Sequence, residues 1–260
     1  MIADARKSKQ MSSRPLFQRQ YPLPAGFDGA PVQLPLTNVF HMPGQAAAVR
    51  FFDPDSDDDL YAMREILGGK QSRRWLDDAT SLSRTEYREW AGTATPFSYL
   101  FAVLDARLTD PEEMRQIRGF VWIYSEREEK IRFSRLQRIG VIPPSTRQRY
   151  LLEVSFAVRP STDGVQLGSG LMSSALRLSC LQVQMLLQSH PDEPEVEILA
   201  FTNPENLPSQ RTLEAAGFVK KTTVKYSWDS PEDTFFYMLS WQLLNQKVRQ
   251  KLLEVYQAND

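Results

Sequence analysis

The chain has 260 residues, and its 31 lysines and arginines nearly balance 32 aspartates and glutamates, giving a formal net charge of −1. This length is typical of one domain with short appendages. A balanced charge provides no general basic field for nucleic acid, and no apolar run approaches the length of a membrane span. We therefore expect neither a nucleic acid nor a membrane as partner.

The cysteine content and the N-terminal residues indicate a cytoplasmic protein. The chain has a single cysteine, Cys180, which cannot form a disulfide within the chain and falls in a long apolar helix, where we expect it in the core. The first residues lack the apolar region of a secretory signal.

Residues 1–46 contain six of the 17 prolines and show no sustained periodicity. This composition predicts an extended arm that wraps the domain or stays mobile. The apolar residues available to dock are Val32, Leu34, Leu36, Val39 and Phe40.

The aspartate-rich residues 53–59 resemble a metal-binding loop but lack the glycine and glutamate spacing of an EF-hand. Acidic residues before an apolar helix at 60–67 are ordinary helix-start residues, so no metal site is expected.

A second helix is predicted from the capping box at Ser83. Strands are predicted at 97–104 and 117–124, with a turn at 109–111. The long polar connection at 126–149 is either a solvated insertion or a lid over a substrate.

A strand at 151–158 runs through a glycine-bearing turn into an apolar helix from about Leu171. Such a turn surrounds one point with free backbone N–H groups, and the helix dipole adds partial positive charge, so the arrangement suits a phosphate or pyrophosphate.

A further strand is predicted at 196–202, followed by a short helix. Asn206 suits its N-cap and Gly217 the left-handed position after its end. Two antiparallel strands are predicted at 218–228 and 234–239. The amphipathic tail at 241–260 packs on the body or forms a dimer contact, so the chain is expected to be a monomer or a homodimer.

The order β, α, α, β, β, β, α, β, α, β, β resembles the GNAT acetyltransferase superfamily. Val158-x-Pro160 before the turn, and Asn206-x-x-Ser209 before Gly217-Phe218, support the resemblance. It covers about residues 49–240, and 209–218 look most like the branch that acetylates N-terminal amines of ribosomal proteins. The implied fold is α/β (α+β), a mixed and largely antiparallel sheet flanked by helices, with the GNAT domain at 47–240.

The resemblance implies a sheet splayed open between the strand ending at Val158 and the strand at 196–202, with acetyl-CoA in the gap and no metal. Backbone groups of Phe156, Ala157 and Val158 would hold the pantetheine and the acetyl carbonyl, and Asn206 would approach the pantetheine arm besides capping its helix. The residues implied for the pyrophosphate turn are Asp163, Gly164, Gln166, Leu167, Gly168, Ser169 and Gly170.

The turn departs from the family pattern. Asp163 stands where an arginine or glutamine is usual, and Gln166 replaces a glycine. A second register through Gly168 and Gly170 restores both glycines and lengthens the turn by two residues. We favour the first register, because residues 171–172 then begin the buried face.

The helix at 207–216 also departs from the family pattern. Many family members have a tyrosine at the position of Leu213, which protonates the leaving thiolate, and leucine cannot do this. A serine at the position of Ser209 is the candidate donor in the branch resembled. Alternatively, Ser209 only satisfies backbone groups at the helix start.

Glu153 is the candidate general base, because it is the carboxylate within the 151–158 strand and lies opposite Leu152 and Val154. Partial desolvation among apolar residues would favour its taking up a proton. Tyr124 would line the acceptor site. Alternatively Glu153 faces solvent or pairs with an arginine, namely Arg147, Arg149 or Arg159.

These residues predict an acetyl-CoA-dependent N-acetyltransferase. It would acetylate a primary amine, of a protein N-terminus or a small molecule, by direct transfer without a covalent enzyme intermediate. The alternative is a GNAT-fold acyl-CoA-binding regulatory protein without turnover, suggested by Asp163, Gln166 and Leu213.

Overall fold

A computed structural model describes most of the sheet and the helices that cover it. The described residues are 19–21, 32–34, 39–42, 44–69, 72, 98–124, 136–138, 140–142, 149–159, 169–188, 195–225 and 233–239. The helix predicted from Ser83, the turn at 160–168 and the tail at 241–260 lie outside them. Within the described parts, no helix is long and apolar enough to span a membrane.

Ten strands and four helices are described. From residue 47 to residue 239 their order matches the predicted pattern except that the second predicted helix lies outside the described residues and that a short helix is present at 111–115, where a turn was predicted. In chain order they are β1 Arg19–Tyr21, β2 Val32–Leu34, β3 Phe40–His41, β4 Ala47–Phe51, α1 Asp57–Gly68, β5 Ser98–Asp105, α2 Pro111–Arg115, β6 Gly119–Tyr124, β7 Arg149–Val158, α3 Ser169–Gln188, β8 Glu195–Thr202, α4 Leu207–Ala216, β9 Val219–Lys225 and β10 Asp233–Leu239.

Eight strands form one sheet in the order β3-β4-β5-β6-β7-β8-β10-β9, while β1 and β2 form a separate antiparallel pair. Every neighbouring pair in the large sheet is antiparallel except β7 and β8, which are parallel. This confirms the predicted mixed, largely antiparallel sheet. A parallel pair needs a crossover connection, and α3 provides it.

The two faces of the sheet are covered by different helices. One face, called here the α3 face, packs Val121, Leu152 and Ile198 against apolar residues of α3 and α4. The other, called here the α1 face, packs Phe120 and Ala157 against the buried side of α1. Side chains alternate between the faces along each strand, so each strand contributes to both layers.

A short segment of the long polar connection also packs on the α1 face. Leu136 and Ile142 are buried against Leu199, Phe236 and Met238. The interpretation of a solvated insertion is therefore wrong for Leu136, Val141 and Ile142, whose side chains pack on the sheet next to β8.

The residues at the start of α1 form a helix cap and one ion pair. The Ser56 side chain accepts from the N–H of Asp59 and caps the helix. The carboxylate of Asp59 accepts two hydrogen bonds of 2.7 Å from Arg50 on β4. Burial alone would lower the pKa of Arg50, but the hydrogen bonds and charge of Asp59 outweigh it and raise that pKa.

Two predicted segments differ in detail from the structure. The turn expected at 109–111 is the start of α2, because Asp110 accepts hydrogen bonds from two N–H groups of the helix and proline fits its first turn. The segment expected as an arm supplies strand β3 to the large sheet. Phe40 docks in the core as expected, whereas Val39 is exposed.

Gly119, at the start of β6, permits a close approach between β6, β7 and α3. A Cβ there would lie 2.5 Å from the carbonyl oxygen of Ala157 and 2.8 Å from Cε of Met172. The first contact is with backbone, which cannot rotate away as a side chain can. A glycine inside a strand pattern often marks such a close approach.

We predict that Gly119→Ala lowers the free energy of unfolding by about 1–3 kcal/mol, because β7 or α3 must shift to admit the methyl group. Urea unfolding would measure the change. The matched control is Gly68→Ala, where a Cβ meets nothing within 4 Å; alanine there should be neutral or slightly stabilising. Equal effects of the two substitutions would contradict the steric reason.

Candidate functional site

A gap opens in the sheet between β7 and β8. Their parallel pairing runs from Arg149↔Glu195 to Glu153↔Leu199 and stops there. Beyond it β7 continues to Val158, paired on its other edge with β6 as far as Gly119. Strand β8 continues to Thr202, paired on its other edge with β10. The two strands therefore separate from Glu153 onward, each held on its outer side only.

The gap exposes backbone groups that need partners. Phe156, Ala157 and Val158, expected to contact the cofactor, all lie on β7 beyond the last pair with β8. A strand presents N–H and C=O groups along both edges, so the edge facing β8 is free to bind an extended ligand there. Ala157 is buried and its neighbours are half-buried, which favours such a bound ligand over bulk water.

Two helices begin at the same end of the gap. Because β7 and β8 are parallel, their carboxyl ends lie at one edge of the sheet; α3 follows the first strand and α4 the second. The two helices pack together on the α3 face, where the guanidinium of Arg177 donates to the carbonyl of Ala215. The N–H groups of both first turns therefore point toward the mouth of the gap.

Helix α3 begins at Ser169, two residues earlier than predicted. Ser169 and Gly170 are thus in its first turn, whose N–H groups have no partner within the helix. A Cβ on Gly170 would meet nothing within 4 Å, so the backbone there is open to a ligand. The other predicted turn residues, Asp163, Gly164, Gln166, Leu167 and Gly168, lie outside the described residues.

The choice between the two turn registers stays a prediction. Its criterion was burial of residues 171–172, and both are buried. However, Ser173 and Ser174 are buried too, and the Ser174 hydroxyl donates to Gln45 and accepts from the N–H of Ala47. Burial at the start of α3 therefore fits either register.

Helix α4 is held by its first residues. Asn206 is buried and its side chain accepts from the N–H of Ser209 at 3.3 Å, which confirms the N-cap. Gly217 has φ +99°, the predicted left-handed position. The amide of Gln210 donates to the carbonyls of Asn203 and Pro204, which fixes the loop that joins β8 to α4.

The Ser209 side chain remains available for chemistry. Asn206, not the Ser209 hydroxyl, satisfies the backbone at the start of α4, and no hydrogen bond joins that hydroxyl to another described residue. Its side chain is half-buried in the first turn, at the mouth of the gap. The proton-donor role of Ser209 and the alternative of a purely structural role both stay predictions.

Leu213 is 1 % exposed and belongs to the core of the α3 face. Tyr237 lies in the same core, and its hydroxyl donates to Glu214 at 3.3 Å. Burial, together with the charge and hydrogen bond of Glu214, raises the pKa of Tyr237 to about 12. Its hydroxyl is held at the C-terminal half of α4, so it does not replace the tyrosine that many family members have at the position of Leu213.

Cys180 is a core residue, as predicted, and burial raises the pKa of its thiol.

Glu153 lies where the gap begins. It is 3 % exposed, so the alternative in which it faces solvent is wrong. Its strand neighbours Leu152 and Val154 are in the core of the α3 face, which confirms that Glu153 points to the α1 face. Of the arginines considered as its partner, Arg159 pairs with Glu65 of α1.

The strand register places three more polar or aromatic residues beside Glu153 on the α1 face. Tyr124 is opposite Glu153, and Trp122 is opposite Ser155. The hydroxyls of Tyr124 and Ser155 are 3.4 Å apart, and the rings of Trp122 and Tyr124 lie 4.3 Å apart. We call these four residues the β6–β7 strip.

Trp122, Ser155 and Gly119 were missed by sequence reasoning. The signal for Ser155 was its spacing of two from Glu153, which puts both on one face. Trp122 had the same spacing from Tyr124, but its neighbour on β7 depends on strand register.

The described residues contain no group of three or more histidine, cysteine, aspartate or glutamate side chains placed to hold a metal ion.

Comparison with known proteins supports the architecture. No protein-family model matches the sequence, and no curated protein matches it. Several solved structures do match. A GNAT-family acetyltransferase from Bacillus anthracis has a TM-score of 0.52 and 14 % identity, over 79 % of this chain and 99 % of that one.

The names of two further similar structures state a ligand or a substrate. Mycobacterium smegmatis RimJ in complex with CoA-disulfide has a TM-score of 0.53 and 14 % identity, over 84 % of this chain and 93 % of that one. The ribosomal-protein-S5-alanine acetyltransferase of Vibrio fischeri has a TM-score of 0.51 and 18 % identity, over 77 % and 95 %. The chain therefore has the fold of the GNAT acetyltransferases.

Proposed function

We propose that the protein is an acetyl-CoA-dependent N-acetyltransferase that acetylates a primary amine. The observation that carries the proposal is the end of the β7–β8 pairing at Glu153 and Leu199. It leaves a free strand edge beside a buried carboxylate, with two helix N-termini at the mouth. One similar structure is a ribosomal-protein-S5-alanine acetyltransferase, so protein N-termini belong to the acceptor class that we propose, together with small-molecule amines.

The described residues fit the coenzyme. Acetyl-CoA supplies the acetyl group on a thioester whose carbonyl is electrophilic. Backbone groups of Phe156, Ala157 and Val158 would bind the pantetheine and donate to the thioester oxygen, since strand N–H groups are fixed donors. The first turn of α3, with the open backbone at Gly170, would bind the pyrophosphate.

Glu153 and Ser209 would handle the protons of the reaction. The nucleophilic amine must be neutral, so Glu153 accepts a proton from it, directly or through water. The amine nitrogen then forms a bond to the acetyl carbon, the carbon–sulfur bond breaks, and the nitrogen loses a further proton. Ser209 would donate its hydroxyl proton to the departing sulfur and take up the proton from the nitrogen, directly or through water, so that its hydroxyl is restored. Direct transfer of this kind requires orientation of two bound reactants and no covalent enzyme intermediate.

Coenzyme binding tests the proposal directly. We predict that isothermal titration with acetyl-CoA and with CoA gives saturable binding, because the strand edge and the start of α3 recognise the pantetheine and pyrophosphate common to both ligands. Absence of binding at millimolar ligand would refute the proposal.

We predict that Glu153→Gln lowers kcat by roughly 10²-fold or more, the contribution typical of a general base, with little change in coenzyme affinity. In the parent protein the general base makes the rate rise with pH, and the variant should lack this rise. The matched control is Glu197→Gln, on β8 two pairs before the gap, which should keep its rate. Equal rates of Glu153→Gln and the parent protein at every pH would retire Glu153 as the base.

We predict that Ser209→Ala lowers kcat by about 10- to 100-fold but changes the free energy of unfolding by less than about 0.5 kcal/mol, because no described group bonds its hydroxyl. Steady-state kinetics and urea unfolding would measure the two effects. Thr212→Val is the control: its hydroxyl donates to the carbonyl of Pro208, so its loss should cost about 1 kcal/mol of stability and leave kcat unchanged. The reverse pattern would assign Ser209 a structural role.

The second candidate function is a regulatory protein that binds acyl-CoA without turnover. The burial of Leu213 in the core favours it, since no acid can act from that position. Release of free thiol from acetyl-CoA with a panel of amines separates the two candidates, because measurable turnover removes the second.

A further inference from the structure

Arg118 lies directly before β6, at the end of the sheet where the gap between β7 and β8 opens. Its carbonyl accepts a hydrogen bond from the N–H of Arg159, the residue that follows Val158 on β7. Its own N–H donates to the carbonyl of Val103 on β5. The backbone of Arg118 is therefore fixed beside the residues of β7 that would bind the pantetheine arm.

A bulge at the start of β6 interrupts the alternation of faces at Arg118. Val103 is the register partner of Gly119, yet its carbonyl also accepts from the N–H of Arg118, so two successive residues oppose one. The Cβ position of Gly119 faces Met172 of α3, whereas Ile117 belongs to the apolar cluster of the α1 face. Strict alternation would place residues 117 and 119 on one face. A bulge of this kind re-aims a side chain and is frequent beside functional sites.

The neighbouring charges indicate that Arg118 is turned toward the α3 face. Asp105 lies two residues after Val103, a core residue of that face, and therefore shares its side of β5. The hydrogen bond from Arg107 lowers the pKa of Asp105 against its burial, and the nearby charge of Arg118 lowers it further. Arg107 already binds both carboxylate oxygens, at 2.8 and 2.6 Å. Two arginines and one aspartate thus leave one positive charge at this end of the sheet.

The Nε of Arg118 is a buried donor without an acceptor among the described residues. The residue as a whole is half-buried. Leaving a buried donor of a charged group without an acceptor is costly, and a guanidinium binds carboxylates and phosphates through paired, charge-assisted hydrogen bonds. The unpaired Nε therefore indicates an anionic ligand for Arg118.

The position of α3 suggests which anion this is. A Cβ on Gly119 would lie 2.8 Å from Cε of Met172, so the start of β6 lies close to the first residues of α3. The first turn of α3, with its open backbone at Gly170, is where the pyrophosphate of the coenzyme would bind. A pantetheine arm that lies along β7 as far as Val158 brings the pyrophosphate to this same end of the sheet.

The turn itself contributes no side-chain cation to the pyrophosphate. Residues 160–176 contain neither lysine nor arginine. Where the family pattern has an arginine or glutamine, this chain has Asp163 in the first register and Val165 in the second. A positive side chain for the phosphates must therefore come from another element in either register.

We propose that Arg118 binds the pyrophosphate of coenzyme A and supplies the positive charge that the turn lacks. The inference rests on the proposed function and deepens it, because it moves the cation of the coenzyme site from the turn to the start of β6. Arg118 donates hydrogen bonds to phosphate oxygens, while N–H groups in the first turn of α3 bind the same group.

Isothermal titration with two coenzyme forms tests the assignment. CoA and 3′-dephospho-CoA share the pyrophosphate and differ in the 3′-phosphate. We expect Arg118→Gln to weaken both ligands by about 10- to 100-fold, the effect of a lost hydrogen bond between charged groups. Arg118→Lys keeps the charge without the forked donors and should weaken both ligands to a smaller extent.

The matched control is Arg64→Gln. Arg64 is an exposed residue of α1, which covers the opposite face of the sheet, so its loss changes the net charge equally. Affinity for both ligands should stay unchanged, because solvent and salt screen a distant exposed charge. Thermal unfolding would verify that each variant is folded, and Arg118→Lys provides the test should Arg118→Gln fail to fold.

Three outcomes would overturn the inference. They are unchanged affinity of the Arg118 variants for both ligands, a loss confined to CoA, which would place Arg118 at the 3′-phosphate, and an equal loss in Arg64→Gln, which would show a general charge effect. Each leaves the proposed function standing if acetyl-CoA binds the parent protein and thiol is released. If acetyl-CoA does not bind, the proposed function is refuted. Titration of the parent protein and Arg118→Gln with inorganic pyrophosphate then still tests Arg118, because only the parent should bind it measurably.

Discussion

The structure depends on the point at which β7 and β8 stop pairing. Each strand keeps an antiparallel partner on its outer edge, β6 for the first and β10 for the second, up to its carboxyl end. The inner edges lose their ladder after Glu153 and Leu199. Backbone N–H and C=O groups in a half-buried place require partners, so the sheet presents a line of main-chain donors and acceptors along the gap.

The gap has two sides with different chemistry. On the α3 face, α3 and α4 bring the positive ends of their dipoles to its mouth, which suits an anionic ligand with a long arm. On the α1 face, the strip of Trp122, Tyr124, Glu153 and Ser155 combines aromatic faces, hydroxyls and a buried carboxyl group. In the proposed function, the coenzyme and the amine approach from opposite faces and meet at the end of the ladder, where their orientation is fixed.

Three residues show how the site is supported by packing. Gly119 has no room for a methyl group against Ala157 and Met172, so the start of β6 lies close to the end of β7 and to the first residues of α3. Asn206 caps α4 with its side chain, so the Ser209 hydroxyl is not needed for the cap. Leu213 fills the core of the α3 face, so α4 presents an apolar side chain there.

The sequence by itself determined the local features. The N-cap at Asn206, the left-handed Gly217, the burial of Cys180 and the face on which Glu153 lies all follow from residue type and from the periods of helix and strand, which backbone geometry imposes on any chain. The order of strands and helices around the turn and α4 also indicated a splayed sheet, through its resemblance to a known fold. Only the tertiary structure decided where the β7–β8 ladder ends, that Trp122 lies opposite Ser155, that Leu136 and Ile142 pack on the sheet, and that Gly119 has no space for a side chain. These depend on strand register and on contacts between residues far apart in the chain, and no local period or propensity encodes them.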